Sequence, residues 1–227
     1  MTPAAVLFDA GNTLVFLDYA RLARTIGDAL RLPLTEAALR RHSGAAAQAM
    51  EQGRLTDRER GTVFLLTLFE RAGVPADRTE DLKAALLEMH QHMHLWGATE
   101  PGTVEALGRL RAAGIRLAVV SNSDGRAAAA LEAGGLLDQF EFVIDSGEVG
   151  VEKPDPRIFQ IALDRMGIQP ADALYVGDLY EVDVVGARAA GLDVVLLDPS
   201  GDHAGRDVKT VRSVAELADE LLAARAA

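Results

Sequence analysis

The sequence predicts an α/β fold in which helices cover both faces of a parallel sheet and an all-helical domain is inserted into the chain. Short β-branched or aliphatic runs alternate with helical segments, a pattern typical of parallel sheets. About a hundred residues separate the first apolar run from the second, whereas a crossover needs roughly a dozen or more. A chain of 227 residues is long enough for a sheet domain and a smaller inserted one.

The predicted strands are the apolar runs at 5–8, 117–120, 140–144, 174–176 and 194–197. The helices predicted between and after them cover 103–113, 126–133, 155–166, 182–190 and 214–224. A glycine follows four of these helices, where a left-handed residue commonly ends a helix: Gly114, Gly134, Gly167 and Gly191.

Only helical periodicity is found in the inserted segment. The predicted helices lie near 19–30, 35–52, 57–72 and 79–95, and residues 56–59 fit a capping box at the start of the third. We therefore predict two domains. Residues 1–16 and 98–227 form the sheet domain, and residues 17–97 form the helical one.

Composition narrows the range of partners. The 34 acidic residues exceed the 23 basic ones, and a net charge of −11 repels nucleic acid and anionic lipid surfaces. The absence of cysteine excludes disulfides and thiolate metal sites. No signal peptide or membrane-spanning run is recognised, so we expect a cytoplasmic protein with no nucleic-acid or membrane partner.

Polar residues follow four of the apolar runs. Ligands gather beyond the carboxyl ends of parallel strands, so we expect these side chains to face one pocket. In chain order they are Asp9, Ser121 with Asn122, Lys153 with Pro154, and Gly177 with Asp178.

The charges of these residues predict a magnesium site. The carboxylates of Asp9 and Asp178 and the backbone carbonyl of Gly11 are hard oxygen ligands that suit Mg²⁺. Lys153 and the metal ion would neutralise a substrate anion and lower the pKa of Asp9, as a carboxylate nucleophile requires. Asp183, at the start of a predicted helix, could pair with Lys153 or reach the metal through water.

Hydrogen-bond donors for a transferring phosphoryl group are available in the same segments. They are the side chains of Ser121 and Asn122 and the backbone amides around Ala10 and Gly11. The predicted substrate is therefore a small phosphorylated molecule.

Four ordered segments resemble the motifs of the haloacid dehalogenase superfamily. They are residues 8–14 (FDAGNTL), 120–122 (VSN), 153–156 (KPDP) and 176–178 (VGD), the last followed by Asp183. The resemblance covers the whole chain. It implies a Rossmann-like three-layer core, a helical cap of the type inserted after the first motif (C1), and phosphatase-like chemistry through a covalent intermediate on Asp9.

Gly11 departs from the pattern of the family's phosphatases. Those enzymes carry a second Asp two residues after the nucleophile, which protonates the leaving group and later activates water. Glycine cannot do this, and losing such a catalyst typically costs about 10²–10⁴ in rate. The backbone carbonyl that ligates the metal at this position in the family is retained.

Three interpretations stay open. The first is a Mg²⁺-dependent phosphatase whose leaving-group acid is absent or supplied elsewhere. The second is a 2-haloacid dehalogenase-like enzyme, although such enzymes need no metal and usually lack the pair seen here as Gly177-Asp178. The third is a weakly active or non-catalytic member that binds a phosphorylated ligand.

Two groups in the inserted segment are weaker candidates. Asp18 and Tyr19 are the titratable residues of that segment nearest to Asp9 in sequence, and they are candidates for a replacement acid. The set His90, His92 and His94 has helical spacing, but no further ligand completes a metal site on that face, so we expect a structural or exposed role. The sequence leaves the identity of the substrate and the oligomeric state open.

Overall fold

A computed structural model describes residues 3–50, 57–92 and 95–226 of the chain. The chain divides into two compact units. Residues of Met1–Phe16 and Gly97–Ala227 form the first, here called the sheet unit, and Leu17–Trp96 forms the second, the helical unit. The second boundary falls at Gly97, one residue before the predicted return at 98.

The sheet unit is built on a six-stranded parallel sheet. Its strands, in chain order, are β1 (Ala5–Phe8), β4 (Arg116–Ser121), β5 (Val143–Asp145), β6 (Ala173–Gly177), β7 (Asp193–Leu197) and β8 (Lys209–Val211). Their order across the sheet is β5-β4-β1-β6-β7-β8. A separate two-stranded sheet pairs β2 (Phe16–Leu17) with β3 (Trp96–Ala98), where the chain passes between the units.

Helices accompany the strands of both units. Those of the sheet unit are α5 (Thr103–Ala112), α6 (Ala127–Ala133), α7 (Ser146–Val149), α8 (Pro156–Met166), α9 (Val185–Ala189) and α10 (Val214–Ala226), with a π-helical turn at Tyr180–Val184. Those of the helical unit are α1 (Tyr19–Leu30), α2 (Glu36–Met50), α3 (Asp57–Arg71) and α4 (Thr79–His92).

The centre of the sheet is apolar on both faces. All four residues of β1 are buried, and one face packs on Ile158, Phe159 and Leu163 of α8. Such continuous burial is what parallel strands require, because helices cover both of their faces. The predicted fold class, a Rossmann-like α/β sheet with a helical insertion, is confirmed.

One predicted helix stop is wrong. Gly114, Gly167 and Gly191 adopt positive φ values of 79°, 69° and 83°, as predicted. Gly134, however, is right-handed, with φ at −80°, and the left-handed residue is Gly135 at 69°. A glycine at 134 instead avoids a steric clash, because a Cβ there would lie only 2.9 Å from the Thr99 side chain.

Several element boundaries also differ from prediction. The strand predicted at 140–144 is observed at Val143–Asp145, and the helix predicted at 182–190 begins earlier, as the π-helical turn. Strand β8 was not predicted. It has only three residues, two of which, Lys209 and Thr210, are exposed, so its sequence shows no alternation of apolar and polar residues. The capping box at 56–59 falls partly outside the described residues, as do His94 and the side chain of His92.

Among the described residues, no helix combines the length and the apolar character that a membrane crossing needs.

Candidate active site

The ends of two neighbouring strands, β1 and β6, bring the predicted acidic residues Asp9 and Asp178 together. Asp9 directly follows β1, and its backbone N–H still donates to the Val176 carbonyl of β6 at 2.8 Å. Asp178 directly follows β6. Parallel pairing in register therefore places both carboxylates at the same edge of the sheet.

Lys153 is the centre of the site. Its ammonium is buried, with the residue only 3% exposed, and it lies 2.5 Å from Asp9 Oδ1 and 2.8 Å from Asp183 Oδ1. It also donates to the Tyr175 hydroxyl at 2.9 Å. The predicted pairing of Asp183 with Lys153 is thus present.

Asp183 has hydrogen bonds at both carboxylate oxygens. Oδ1 faces Lys153, and Oδ2 accepts from the backbone N–H groups of Asp178 (3.1 Å) and Leu179 (2.9 Å). The carboxylate packs directly on Gly177, where a Cβ would lie 2.3 Å from Asp183 Cγ. Asp183 therefore fixes both the lysine and the backbone that carries Asp178.

The site holds more negative than positive charge. Burial raises the pKa of Asp9 to about 6, with Lys153 opposing that rise and Asp183 adding to it. Burial also raises the pKa of Asp178 well above its ordinary value, and the carboxylates of Asp9 and Asp183 raise it further. The sequence predicts that Lys153 and a metal ion together lower the pKa of Asp9. Lys153 alone does not offset the cost of burial, so that lowering depends on a further cation.

The other two buried groups are held in their protonated forms. Burial disfavours the charged ammonium of Lys153, but the carboxylates of Asp183 and Asp9 raise its pKa well above the ordinary value. Burial raises the pKa of the Tyr175 phenol, and the Asp183 carboxylate adds to that rise. Lys153 therefore carries a positive charge, and Tyr175 keeps its hydroxyl proton.

The three carboxylates fit a divalent cation. One oxygen from each of Asp9, Asp178 and Asp183 lies within 4.8 Å of the other two, which is the one such acidic or histidine group within the described ranges. Hard oxygen ligands of this kind suit Mg²⁺. Burial is the main cause of the raised pKa values of Asp9 and Asp178, neighbouring carboxylates raise both further, and a bound cation would lower them.

The loop after Asp9 is a tight turn. The Ala10 carbonyl accepts from the N–H groups of Leu14 and Val15, both at 2.9 Å, while Asn12 adopts a left-handed conformation with φ at 56°. Gly11 lies within this turn and forms a bridge to Val15. The Ala10 amide hydrogen-bonds the Asp9 carboxylate and lowers its pKa, so this donor is directed at the predicted nucleophile.

Asn122 binds the backbone of Lys153 from both sides. Its Oδ1 accepts from the Lys153 N–H at 2.7 Å, and its Nδ2 donates to the Lys153 carbonyl at 3.0 Å. The amide side chain thus positions the lysine, although the sequence suggested that it would face phosphate. Ser121 is buried at the end of β4, where its hydroxyl lies 3.4 Å from the Asn122 carbonyl.

Two residues of this region were not predicted from the sequence. Asp145, at the end of β5, accepts from the N–H groups of Gly125, Ala127 and Gly147, each at 2.9 Å, and so holds the loop after β4. Its position directly after an apolar run was an available signal. Tyr175 gave no such signal, because it lies inside the apolar run of β6.

The weaker candidates lie in the helical unit and have local partners there. Asp18 caps α1 by accepting from the Arg21 N–H at 2.9 Å. The Tyr19 ring lies beneath the Arg40 guanidinium, and burial raises the pKa of its phenol. Of the three histidines, His90 has a described side chain on α4.

Comparison with known proteins identifies one family. The family model described as haloacid dehalogenase-like hydrolase matches residues 3–191. Haloacid dehalogenase-like hydrolase domain-containing protein 3 of Mus musculus is 36% identical over 214 residues, covering 88% of this chain and 84% of that protein.

Other relatives have more specific names. Phosphoglycolate phosphatase of Rhodospirillum rubrum is 36% identical over 202 residues, covering 86% of this chain and 79% of that protein. (S)-2-haloacid dehalogenase 1 of Pseudomonas sp. is 34% identical over 119 residues, covering 52% of this chain and 50% of that protein. Relatives of this chain are therefore named for both reactions.

Solved structures share the fold. The Bacillus subtilis protein YfnB, described as a putative hydrolase bound to magnesium, superposes with a TM-score of 0.67 at 24% identity. The match covers 98% of this chain and all of that one, 100%.

Proposed function

Since the chain belongs to the haloacid dehalogenase-like hydrolase family, we propose that it is a Mg²⁺-dependent phosphatase of a small phosphorylated metabolite, with Asp9 as the nucleophile. The observation that carries this proposal is a group of three carboxylates, two of which pair with one buried ammonium. An excess of carboxylates suits a cation-dependent reaction of an anion, because a cation must offset their charge before phosphate can approach.

The two carboxylate oxygens of Asp9 differ in their side-chain partners. Oδ1 is bound by Lys153 at 2.5 Å, whereas Oδ2 has the Thr13 hydroxyl at 3.5 Å, the outer limit of a hydrogen bond. In the first step, Oδ2 attacks phosphorus, and the bond from phosphorus to the leaving oxygen breaks with its electron pair on that oxygen. Water then attacks phosphorus, and the bond from phosphorus to Oδ2 breaks with its electron pair on Oδ2. This step restores the Asp9 carboxylate and releases inorganic phosphate, which keeps the oxygen of the water.

The residues that would hold Mg²⁺ are Asp9, Asp178 and the Gly11 carbonyl, with Asp183 bound directly or through water. When bound, the ion would stabilise the charge on the phosphoryl oxygens and the ionised form of Asp9. Lys153 adds a fixed positive charge beside Asp9, the Ala10 amide donates to the Asp9 carboxylate, and the Ser121 hydroxyl is a further donor at the same edge of the sheet.

Gly11 limits the kinds of substrate that react well. No side chain at this position can donate a proton to the leaving oxygen, so an alkoxide leaving group departs without help unless another residue supplies the acid. An aryl oxide is stabilised by its ring and needs less help. We therefore expect aryl phosphates to outperform alkyl phosphates.

Dehalogenation is the second candidate, favoured by the relative of that name. A 2-haloacid carries a carboxylate, and the acidic excess beside Lys153 would repel it when no cation is bound. Halide release from a 2-haloacid in the presence of a chelator would support this alternative over phosphate hydrolysis.

A screen of phosphate esters for Mg²⁺-dependent hydrolysis tests the proposal. Aryl, sugar and nucleotide phosphates would be assayed with Mg²⁺ and with EDTA, using wild type and Asp9→Asn. We expect release of inorganic phosphate that needs Mg²⁺ and disappears in Asp9→Asn. Ligand-dependent stabilisation without turnover on any phosphate would instead identify a binding protein and contradict the proposal.

A further inference from the structure

Tyr175 occupies an unusual position for a polar side chain. It lies in the middle of β6, between strands β1 and β7, and is fully buried. Its ring packs edge-to-face on Phe159 of α8, with the ring centroids 4.9 Å apart. A buried phenol costs free energy unless its hydroxyl finds partners, so a phenylalanine would serve packing alone equally well.

The Tyr175 hydroxyl reaches the charged centre of the site. It accepts from Lys153 Nζ at 2.9 Å, and its own proton has two acceptors within reach, Asp183 Oδ1 at 3.0 Å and the Val120 carbonyl at 3.2 Å. The ammonium is 5.6 Å from the ring centroid, so its shortest contact with this residue is with the hydroxyl and not with the ring.

These contacts match the donors of the lysine. An ammonium has three N–H donors and no acceptor. The three oxygens around Lys153 belong to Asp9, Asp183 and Tyr175. Removing the hydroxyl would leave one buried N–H without this acceptor and leave Asp183 Oδ1 without this donor.

From this geometry we propose that Tyr175 is a positioning residue whose hydroxyl fixes the Lys153 ammonium against the nucleophile Asp9. Its position in the central strand and the packing of its ring on Phe159 hold the hydroxyl in place. The catalytic consequence rests on the proposed phosphatase function. The effect on Lys153 itself does not, and it can be measured in the resting protein.

The chain is well suited to such a measurement because it has three lysines, Lys83, Lys153 and Lys209. Lys83 and Lys209 are exposed and pair with Glu80 and Glu220, so they serve as internal references. In protein labelled with ¹⁵N-lysine, NMR should show one ζ-ammonium that exchanges slowly with water, assigned to Lys153 by its absence in Lys153→Met. A correlation between these protons and the Tyr175 hydroxyl proton in wild type would support the contact without any change to Tyr175.

Tyr175→Phe removes only the hydroxyl, and Tyr180→Phe is the matched control in the same unit, where the ring lies under Arg206. We expect Tyr175→Phe to shift the Lys153 signal and to speed its exchange about tenfold, with kcat about tenfold lower and KM changed less than about twofold. Tyr180→Phe should behave as wild type.

The outcomes separate the two proposals. A Lys153 signal and exchange rate unchanged in Tyr175→Phe, or no protected ζ-ammonium in wild type, would overturn the role of Tyr175. An altered Lys153 signal with undiminished kcat would overturn its catalytic part. An altered signal in a protein whose wild type lacks phosphatase activity would support the contact with Lys153 while refuting the proposed function.

Discussion

Asp178 carries poorly compensated charge at the edge of the sheet. Burial and the carboxylates of Asp9 and Asp183 raise its pKa, and the opposing effects of Lys153 and a backbone hydrogen bond do not offset that rise. A neutral side chain of the same shape should remove this repulsion in the absence of metal, and it should also remove a ligand from the proposed magnesium site.

Asp178→Asn should therefore raise the unfolding temperature in EDTA by a few degrees and abolish the further rise that Mg²⁺ gives to wild type. Thermal unfolding with EDTA and with Mg²⁺ measures both effects. Asp193→Asn, at an exposed residue of the same unit, is the control. A Mg²⁺-induced rise of equal size in Asp178→Asn would exclude Asp178 as a ligand.

Gly11 offers a second test at the scale of one residue. Gly11→Asp places a carboxyl group where the phosphatases of the family carry their acid. We expect kcat/KM for alkyl phosphates to rise by about tenfold or more, and that for aryl phosphates to change little, because only the former need a proton donor. Steady-state kinetics on one substrate of each type decides this. Equal failure of both types in wild type and variant would contradict the mechanism.

The residues of the site were unequally predictable. Asp9, Lys153, Asp178 and Asp183 could be identified because each follows an apolar run or a recognisable motif. Tyr175 could not, since a tyrosine within an apolar run is indistinguishable from a core residue until the three-dimensional position of its hydroxyl is known. The use of Asn122 to bind the Lys153 backbone likewise depends on two segments that are far apart in sequence.

Gly177 links strand β6 to the π-helical turn. Because a Cβ at Gly177 would lie 2.3 Å from Asp183 Cγ, the turn can approach the strand end only if this residue has no side chain. We expect Gly177→Ala to displace Asp183 from Lys153 and to lower both the free energy of unfolding, by about 2 kcal/mol or more, and the catalytic rate. Gly108→Ala in α5 has open space around it and should stabilise by about 0.5–1 kcal/mol. Urea unfolding of wild type and both variants measures these changes. A free energy of unfolding for Gly177→Ala equal to that of wild type would contradict the steric explanation.

Elements with a clear apolar pattern were predicted with small boundary errors. Elements without one were shifted in the prediction or missed. Strand β1 was predicted at its observed limits, and α8 within one residue at its start, because an apolar run and a Pro–Gly framed helix give clear signals. The local sequence does not distinguish Gly134 from Gly135 as the left-handed residue, because both are glycines and either can adopt a positive φ. The π-helical turn follows from the contacts of Asp183 and has no periodicity of its own.

At the scale of the whole molecule, the buried carboxyl of Asp9 links folding to pH. Its pKa is about 6 in the folded protein against an ordinary value of 3.8, so the folded state binds more protons between these values. The resulting stabilisation is present at low pH and is lost as pH rises through about 6. This is the reverse of the usual carboxylate effect, because burial outweighs the attraction of Lys153.

In EDTA, wild type should therefore lose stability relative to Asp9→Asn as the pH rises from about 4 to about 6. The relative loss in the free energy of unfolding should reach up to about 3 kcal/mol and stay constant above about pH 6. Urea unfolding across this range measures it. Parallel curves for the two proteins would show that Asp9 titrates at its ordinary pKa.

The topology of the whole sheet determines where the site lies. Parallel strands forced Asp9 and Asp178 to the same edge of the sheet, which the alternation of apolar runs and helices was sufficient to predict. The net charge of −11 made a local cation necessary for an anionic substrate, and Lys153 supplies part of it.

The central claim is that Asp9 becomes phosphorylated during turnover. The most direct measurement is rapid acid quenching of the enzyme with Mg²⁺ and an aryl phosphate, followed by mass spectrometry of the peptide that contains Asp9. We predict that this peptide carries one phosphoryl group in wild type and none in Asp9→Asn. Phosphate release by wild type that proceeds without any phosphoryl group on Asp9 would contradict the mechanism.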